Sequence, residues 1–291
     1  MAGVMTKPVV GFMSRVVGVL VTIGIITSAC QTQVVAPTTV DLDALSKEID
    51  FEVERACAKI KSGNESTISD IQVMLSYNHQ WAVMASESEI EDAIKTCAAI
   101  DYLIEIALGN EFGDSEARVH KWKTDVVFRA MGTPTTSDSA VLDAVLADLD
   151  RLIGSITISR DDDAENGVPV HFVPMSEMSQ VLPQYETGNS GFFWHWWDGS
   201  GQLYDGVVLI GTDVVEHKRH HIIREEITQL LGLGMDSFRY PTSIFQQSDI
   251  DVNRFAPLDE AVISLLYDSR VQSNATADEI RAALVWSFSS K

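Results

Sequence analysis

His221-Ile-Ile-Arg-Glu-Glu-Ile-Thr-Gln-Leu-Leu-Gly-Leu233 has the spacing of an amphipathic helix, and the other segments arrange around it. Wound as a helix, it stacks His221, Glu225, Gln229 and Gly232 on one side, because residues four apart lie one turn above another. Ile223, Ile227, Leu230 and Leu231 fall on the opposite side as an apolar stripe. One face is therefore expected to lean on a core and the other to present polar groups. Gly232 and Gly234 follow, and glycine accepts the left-handed conformation that ends helices.

The polar face also has a metalloprotease spacing. In a zinc-protease helix two histidines four residues apart hold the metal, and the glutamate after the first is the general base. With Glu225 in the first histidine slot, Glu226 takes the base position and Gln229 the second slot. Gly232-Leu233 then matches the Gly-Leu that follows in many such helices. Both imidazoles are replaced, and a carboxylate with a neutral amide is a poor pair for zinc. Asp236 stands near the third-ligand position, one residue late.

Arg224-Glu-Glu-Ile-Thr-Gln-Leu-Leu-Gly-Leu-Gly-Met-Asp-Ser237, Ser243-Ile-Phe245, Leu258-Asp259 and Leu266-Tyr-Asp268 resemble DUF2927. This bacterial domain family is uncharacterised and is similar in sequence to a zincin metalloprotease with altered metal ligands. The likeness runs over residues 116–272. It implies a zincin-like fold and supplies no activity, since fold kinship does not stand in for a site.

Beyond this block the chain is acidic: 42 Asp and Glu against 21 Lys and Arg give a net charge of −21 over 291 residues. Such a charge repels nucleic-acid phosphates and anionic headgroups, so neither is expected as a direct partner. A hydrophobic share of 45% is enough to fill a core and excludes a disordered chain. The length suits about two domains.

The N-terminus reads as an export signal. Lys7 and Arg15 precede the apolar run Val16–Ile26, and Thr27-Ser-Ala-Cys30 resembles a lipobox. The run is shorter than the roughly 20 residues that span a membrane. Residues 1–29 are thus expected to be a signal peptide, and Cys30 a lipidated residue that anchors the chain to the membrane. Cleavage after Ala29 without lipid is the alternative. Gln31, in place of an aspartate, suggests the periplasmic face of the outer membrane. Residues 30–40 form a polar tether. Outside the cytoplasm Cys57 and Cys97 are expected to pair, the alternative being two small buried residues.

Residues 41–110 place apolar side chains at spacings of three and four and read as a small helical bundle ending in a helix over 86–108. Residues 116–272 follow as the family-like domain. In it, strand patterns at 122–131, 156–159 and 168–173 flank a helix over 137–153 with Val141, Val145, Leu149 and Leu152 inward. An aromatic strand, Phe192–Trp197, is expected to form a hairpin with Val207–Ile210, ahead of the central helix. Leu258–Leu266 closes the domain, and residues 273–291 hold a last helix capped by Thr276 and Glu279. The fold class expected is α+β: a zincin-like mixed domain with a central helix, preceded by a small all-helical region.

Several groups bear on function. Arg224, Glu225, Glu226, Thr228, Gln229 and Asp236 are expected to form a polar network where a metal would sit, with Arg224 salt-bridged to the glutamates beside it. His217, His221 and Glu225 are an alternative zinc set, weighed against exposed histidines at a helix start; no cofactor is otherwise expected. The run Phe192–Trp197 either walls a groove or covers the core. Asp161–Asn166 lacks the pattern of a calcium loop and reads as a solvated turn. Three functions follow: a degenerate zincin that binds a peptide, protein or glycan without cutting it; an active metallopeptidase with Glu226 as base; or a structural envelope lipoprotein. The first is preferred, because the substitutions fall on the metal ligands themselves.

Overall fold

A computed structural model describes residues 87–108, 117–247 and 252–284. The signal segment, Cys30, the tether, the first two helical segments and Cys57 lie outside the described residues. The first described element is helix α1 (Glu87–Ala107), followed by strands β1 (Lys121–Trp122) and β2 (Val126–Gly132), helix α2 (Thr136–Ile153) and strands β3 (Ile158–Arg160) and β4 (Val168–Val173). A 3-10 turn then leads into the one-turn helix α3 (Met178–Val181) and strands β5 (Gly191–Trp197) and β6 (Gln202–Gly211). Helices α4 (Glu216–Leu230), α5 (Pro257–Leu266) and α6 (Ala277–Leu284) complete the described chain.

The strands form one sheet in the order β1-β6-β4-β2-β3 with every neighbour parallel, while β5 pairs antiparallel with β6. Parallel neighbours need crossover connections, and α2 supplies the one between β2 and β3. The β6 run Val207-Val-Leu-Ile210 is buried throughout, as expected of a strand covered on both faces. The architecture is a mixed α/β domain with more parallel pairing than the α+β expectation implied.

Local signals explain most boundaries. Thr135 caps α2: its hydroxyl accepts from the Asp138 backbone N–H at 3.1 Å, and the Asp138 carboxylate accepts from the Thr135 N–H at 2.9 Å. Leu142, Val145, Leu146, Leu149 and Ile153 face inward from α2, while Val141 and Leu152 are only partly buried. The central helix α4 buries Ile223, Ile227 and Leu230 completely. Gly232 ends it at φ 109°, and a Cβ there would collide with the His120 carbonyl, so both conformation and space demand glycine. Its start has no side-chain cap.

Two expectations about extent need correction. Helix α1, assigned to a separate bundle, is built into the main core: Tyr102, Leu103 and Ile106 are fully buried, and the Met235 N–H donates to the Ile106 carbonyl at 3.0 Å. Helix α6 adds Ile280 and Leu284 to the same core. A smaller core on the other side of the sheet joins Met178, Leu182 and Tyr185 to Phe192, Val207 and Leu209.

Ser243 and Asp259, both from the family-like motifs, form a buried hub. Ser243 Oγ donates to Asp259 Oδ1 at 2.6 Å, and Tyr102 Oη of α1 lies 2.8 Å from the same hydroxyl. Asp259 Oδ2 accepts from the Ile244 and Ala256 N–H groups at 3.0 and 2.8 Å. Ser243 is thus a structural hydroxyl within the core.

Candidate polar site on the central helix

Strand β5 runs along α4. Its first residue, Gly191, packs so closely that a Cβ would strike Ile222 and the Glu226 carboxylate. Further along, His195 Nδ1 lies 3.4 Å from the Leu230 carbonyl at the end of the helix. Glu226, in the base position of the protease register, is therefore buried against the edge of the sheet.

The other polar side chains of α4 pair with one another and with the loops around them. His221 Nε2 lies 3.3 Å from Glu225 Oε2, and its Nδ1 is 2.6 Å from the Val252 carbonyl. Burial alone would lower the pKa of His221, but the hydrogen bond and charge of Glu225, the Val252 carbonyl and the charge of Asp236 hold it above the ordinary value. Gln229 Nε2 donates to Asp236 Oδ1 at 2.7 Å. Thr228 bonds back to the Arg224 carbonyl at 2.6 Å, a local helix contact that aims nothing outward. His217 sits exposed on the first turn. Among the described residues no three His, Cys, Asp or Glu side chains gather as a metal-ligand set.

Arg224 does not join this network. Its guanidinium lies over the Phe255 ring, 5.4 Å from the centroid, and no ion pair links it to Glu225 or Glu226 among the described residues. The reason is helical geometry: each residue turns about 100° from the last, so sequence neighbours look in different directions. The Asp213 carboxylate, just ahead of α4, accepts from the Met175 N–H at 3.0 Å.

The aromatic strand divides by alternation. Phe192, Trp194 and Trp196 meet the smaller core, while Phe193 packs against the main one. Trp197 stacks on His120 with ring centroids 4.2 Å apart. Burial pushes the pKa of His195 down to about 4, the Leu230 carbonyl opposing only in part. In the acidic turn, Asp162 holds Arg160 at 2.7 Å and the Ala130 N–H at 2.8 Å.

A buried ion pair escapes sequence inspection. Arg219 Nε donates to Asp138 Oδ1 at 2.8 Å, tying the start of α4 to the start of α2, and Arg219 Nη1 reaches the Val214 carbonyl at 2.6 Å. Burial would raise the pKa of Asp138, but its bonds to Arg219 and Thr135 outweigh that and hold it below the ordinary value. The Thr135-x-x-Asp138 spacing is a local signal for the cap, but nothing local names Arg219 as the partner of Asp138. Cys97 is disulfide-bonded, and the expected partner Cys57 lies outside the described residues.

Fold and site together define a mixed α/β domain whose central helix carries paired polar side chains beside a sheet edge. The chain belongs to the DUF2927 family: the model of that family, described as a protein of unknown function, matches residues 97–285. The match includes much of α1 and all of α6, in keeping with their packing. No curated protein and no solved structure matches the chain.

Proposed function

We propose that this chain is a bacterial envelope lipoprotein whose zincin-like domain binds an extended peptide segment and does not cut it. The observation that carries this reading is β5: an antiparallel strand that pairs only with β6 among the described residues and lies alongside α4. A peptide added to that edge gains main-chain hydrogen bonds and crosses the polar side chains of the helix. Glu225, Glu226 and Asp236 would favour basic side chains in the peptide.

The ligand positions of the protease register support binding without catalysis. Glu225 is engaged by His221, and Gln229 and Asp236, the second and third positions, bond directly to each other. An amide N–H turned toward a carboxylate is a hydrogen-bonding arrangement and does not suit zinc, which prefers imidazole and thiolate. Glu226 then has no activated water to serve. Anchorage through lipidated Cys30, on the periplasmic face of the outer membrane, rests on the lipobox-like Thr27–Cys30.

The test uses the full chain purified in mild detergent, with metal content and hydrogen exchange measured. Zinc well below one equivalent is expected, together with protection of the residue 191–197 amides on adding a lysine-rich extended peptide. One tightly held zinc per chain, lost in Glu225→Ala, would establish the metallopeptidase reading instead. Palmitate labelling that survives Cys30→Ser would remove the lipoprotein assignment.

A further inference from the structure

Among the described residues, the buried side chains of Arg219 and Lys121 are matched to acceptors, and that of Arg224 is not. Arg219 meets Asp138 and the Val214 carbonyl, and Lys121 Nζ donates to the Leu266 carbonyl at 2.9 Å. Arg224 is as deeply buried, at 7% exposed, yet its Nε has no hydrogen-bond acceptor and no carboxylate of the described residues pairs with it. Burying an unpaired guanidinium is unfavourable, so a position like this calls for a partner. Phe255 supports the flat face of the group at 5.4 Å. That contact uses the π surface and leaves the in-plane N–H fork unspent, which is the geometry that receives an oxyanion. The charged group whose field reaches Arg224 is Asp148 of α2, a half-exposed carboxylate 3.7 Å from Arg151; the first turn of α5 carries two further acids, Asp259 and Glu260. Both α5 acids are occupied: Asp259 in the Ser243 hub, and Glu260 by Arg151 at 3.0 Å.

We propose that Arg224 is the base of a small oxyanion site at the junction of α2, α4 and Phe255 just ahead of α5, taking one carboxylate or phosphate group of a ligand. The site lies on a different side of α4 from Glu226 and β5, so it stands independently of the peptide groove. Asp148 acts as its gatekeeper, a negative charge that an incoming anion must displace or outbid.

The test titrates inorganic phosphate and, separately, acetate against the thermal midpoint of the full chain in detergent, with chloride at matched ionic strength as reference. A ligand that binds only the folded form raises the midpoint in a saturable way. Such a rise is expected with at least one anion, and the more effective one tells phosphate from carboxylate. Arg224→Gln should abolish the rise, and Asp148→Asn should lower the half-saturating concentration. Because Arg224→Gln could fail to fold, wild type against Asp148→Asn decides alone. A response indistinguishable from chloride overturns the site. So does an Asp148→Asn chain that loses as much stability as Arg224→Gln without any added anion, since Arg224 would then be half of an ion pair.

Discussion

Two histidines of the domain titrate in opposite senses, and the sign of each follows from what surrounds it. His195 is kept neutral by burial, so the unfolded chain takes up a proton near 6.5 while the folded chain waits until about 4. Its contribution to stability is complete above pH 6.5 and is lost as pH falls toward 4, a difference of about 3 kcal/mol. His120 and His171, also lowered by burial, add in the same direction. His221, raised by Glu225, does the reverse: it stabilises fully below its ordinary value and loses that contribution as pH rises through the folded one. Urea midpoints at pH 7.5 and pH 5 should therefore show a marked drop for the native chain and a smaller one for His195→Phe. Equal drops would mean that His195 is protonated in the fold. The Ser243 hub permits a second expectation at this scale. Ser243→Ala leaves Tyr102 Oη and Asp259 Oδ1 without their shared partner inside the core, and should lower unfolding free energy by about 2–3 kcal/mol. A loss under ~0.5 kcal/mol, within the range of surface changes, would show that the hub adds nothing.

At the scale of elements, the contact between β5 and α4 rests on one missing side chain. Gly191 allows the strand to settle on Ile222 and Glu226, and Gly191→Val must push them apart or displace the glutamate. Overpacking of this kind is expected to cost about 1–3 kcal/mol and to weaken peptide protection of β5 as well. Gly199, with nothing within 4 Å of its Cβ position, is the control: Gly199→Val should leave both readouts near native. The helices and strands themselves were largely legible. The apolar stripe of α4, the helix α2 and the β5–β6 hairpin follow from local periodicity and turn chemistry. What those signals cannot reach is pairing in space. Nothing around Arg224 indicates that it turns to Phe255 and away from the glutamates beside it, and nothing around Asp213 indicates that it bonds the Met175 N–H. Both outcomes depend on where segments 30 or more residues away come to rest.

For the whole molecule the misplaced feature was the limit of the domain. A sequence likeness over 116–272 suggests a unit that begins after α1 and ends before α6, yet the core treats both helices as members. Tyr102, Leu103 and Ile106 enter it from ahead of the sheet in sequence and Ile280 and Leu284 from behind it. Full burial of such side chains contributes about 1.5–3 kcal/mol each. Removing five of them therefore forfeits on the order of 10 kcal/mol, as much as the whole net stability of an ordinary domain. Loss of Tyr102 also strips the Ser243 hydroxyl of one partner, and loss of Ile106 frees the Met235 N–H. A chain trimmed to residues 116–272 is thus expected to lack cooperative unfolding and dispersed amide resonances, whereas residues 41–291 should show both. A trimmed chain with native near-UV circular dichroism and a sharp transition would mean that the sheet and α4 stand alone. The two helices would then be accessories laid on a finished core.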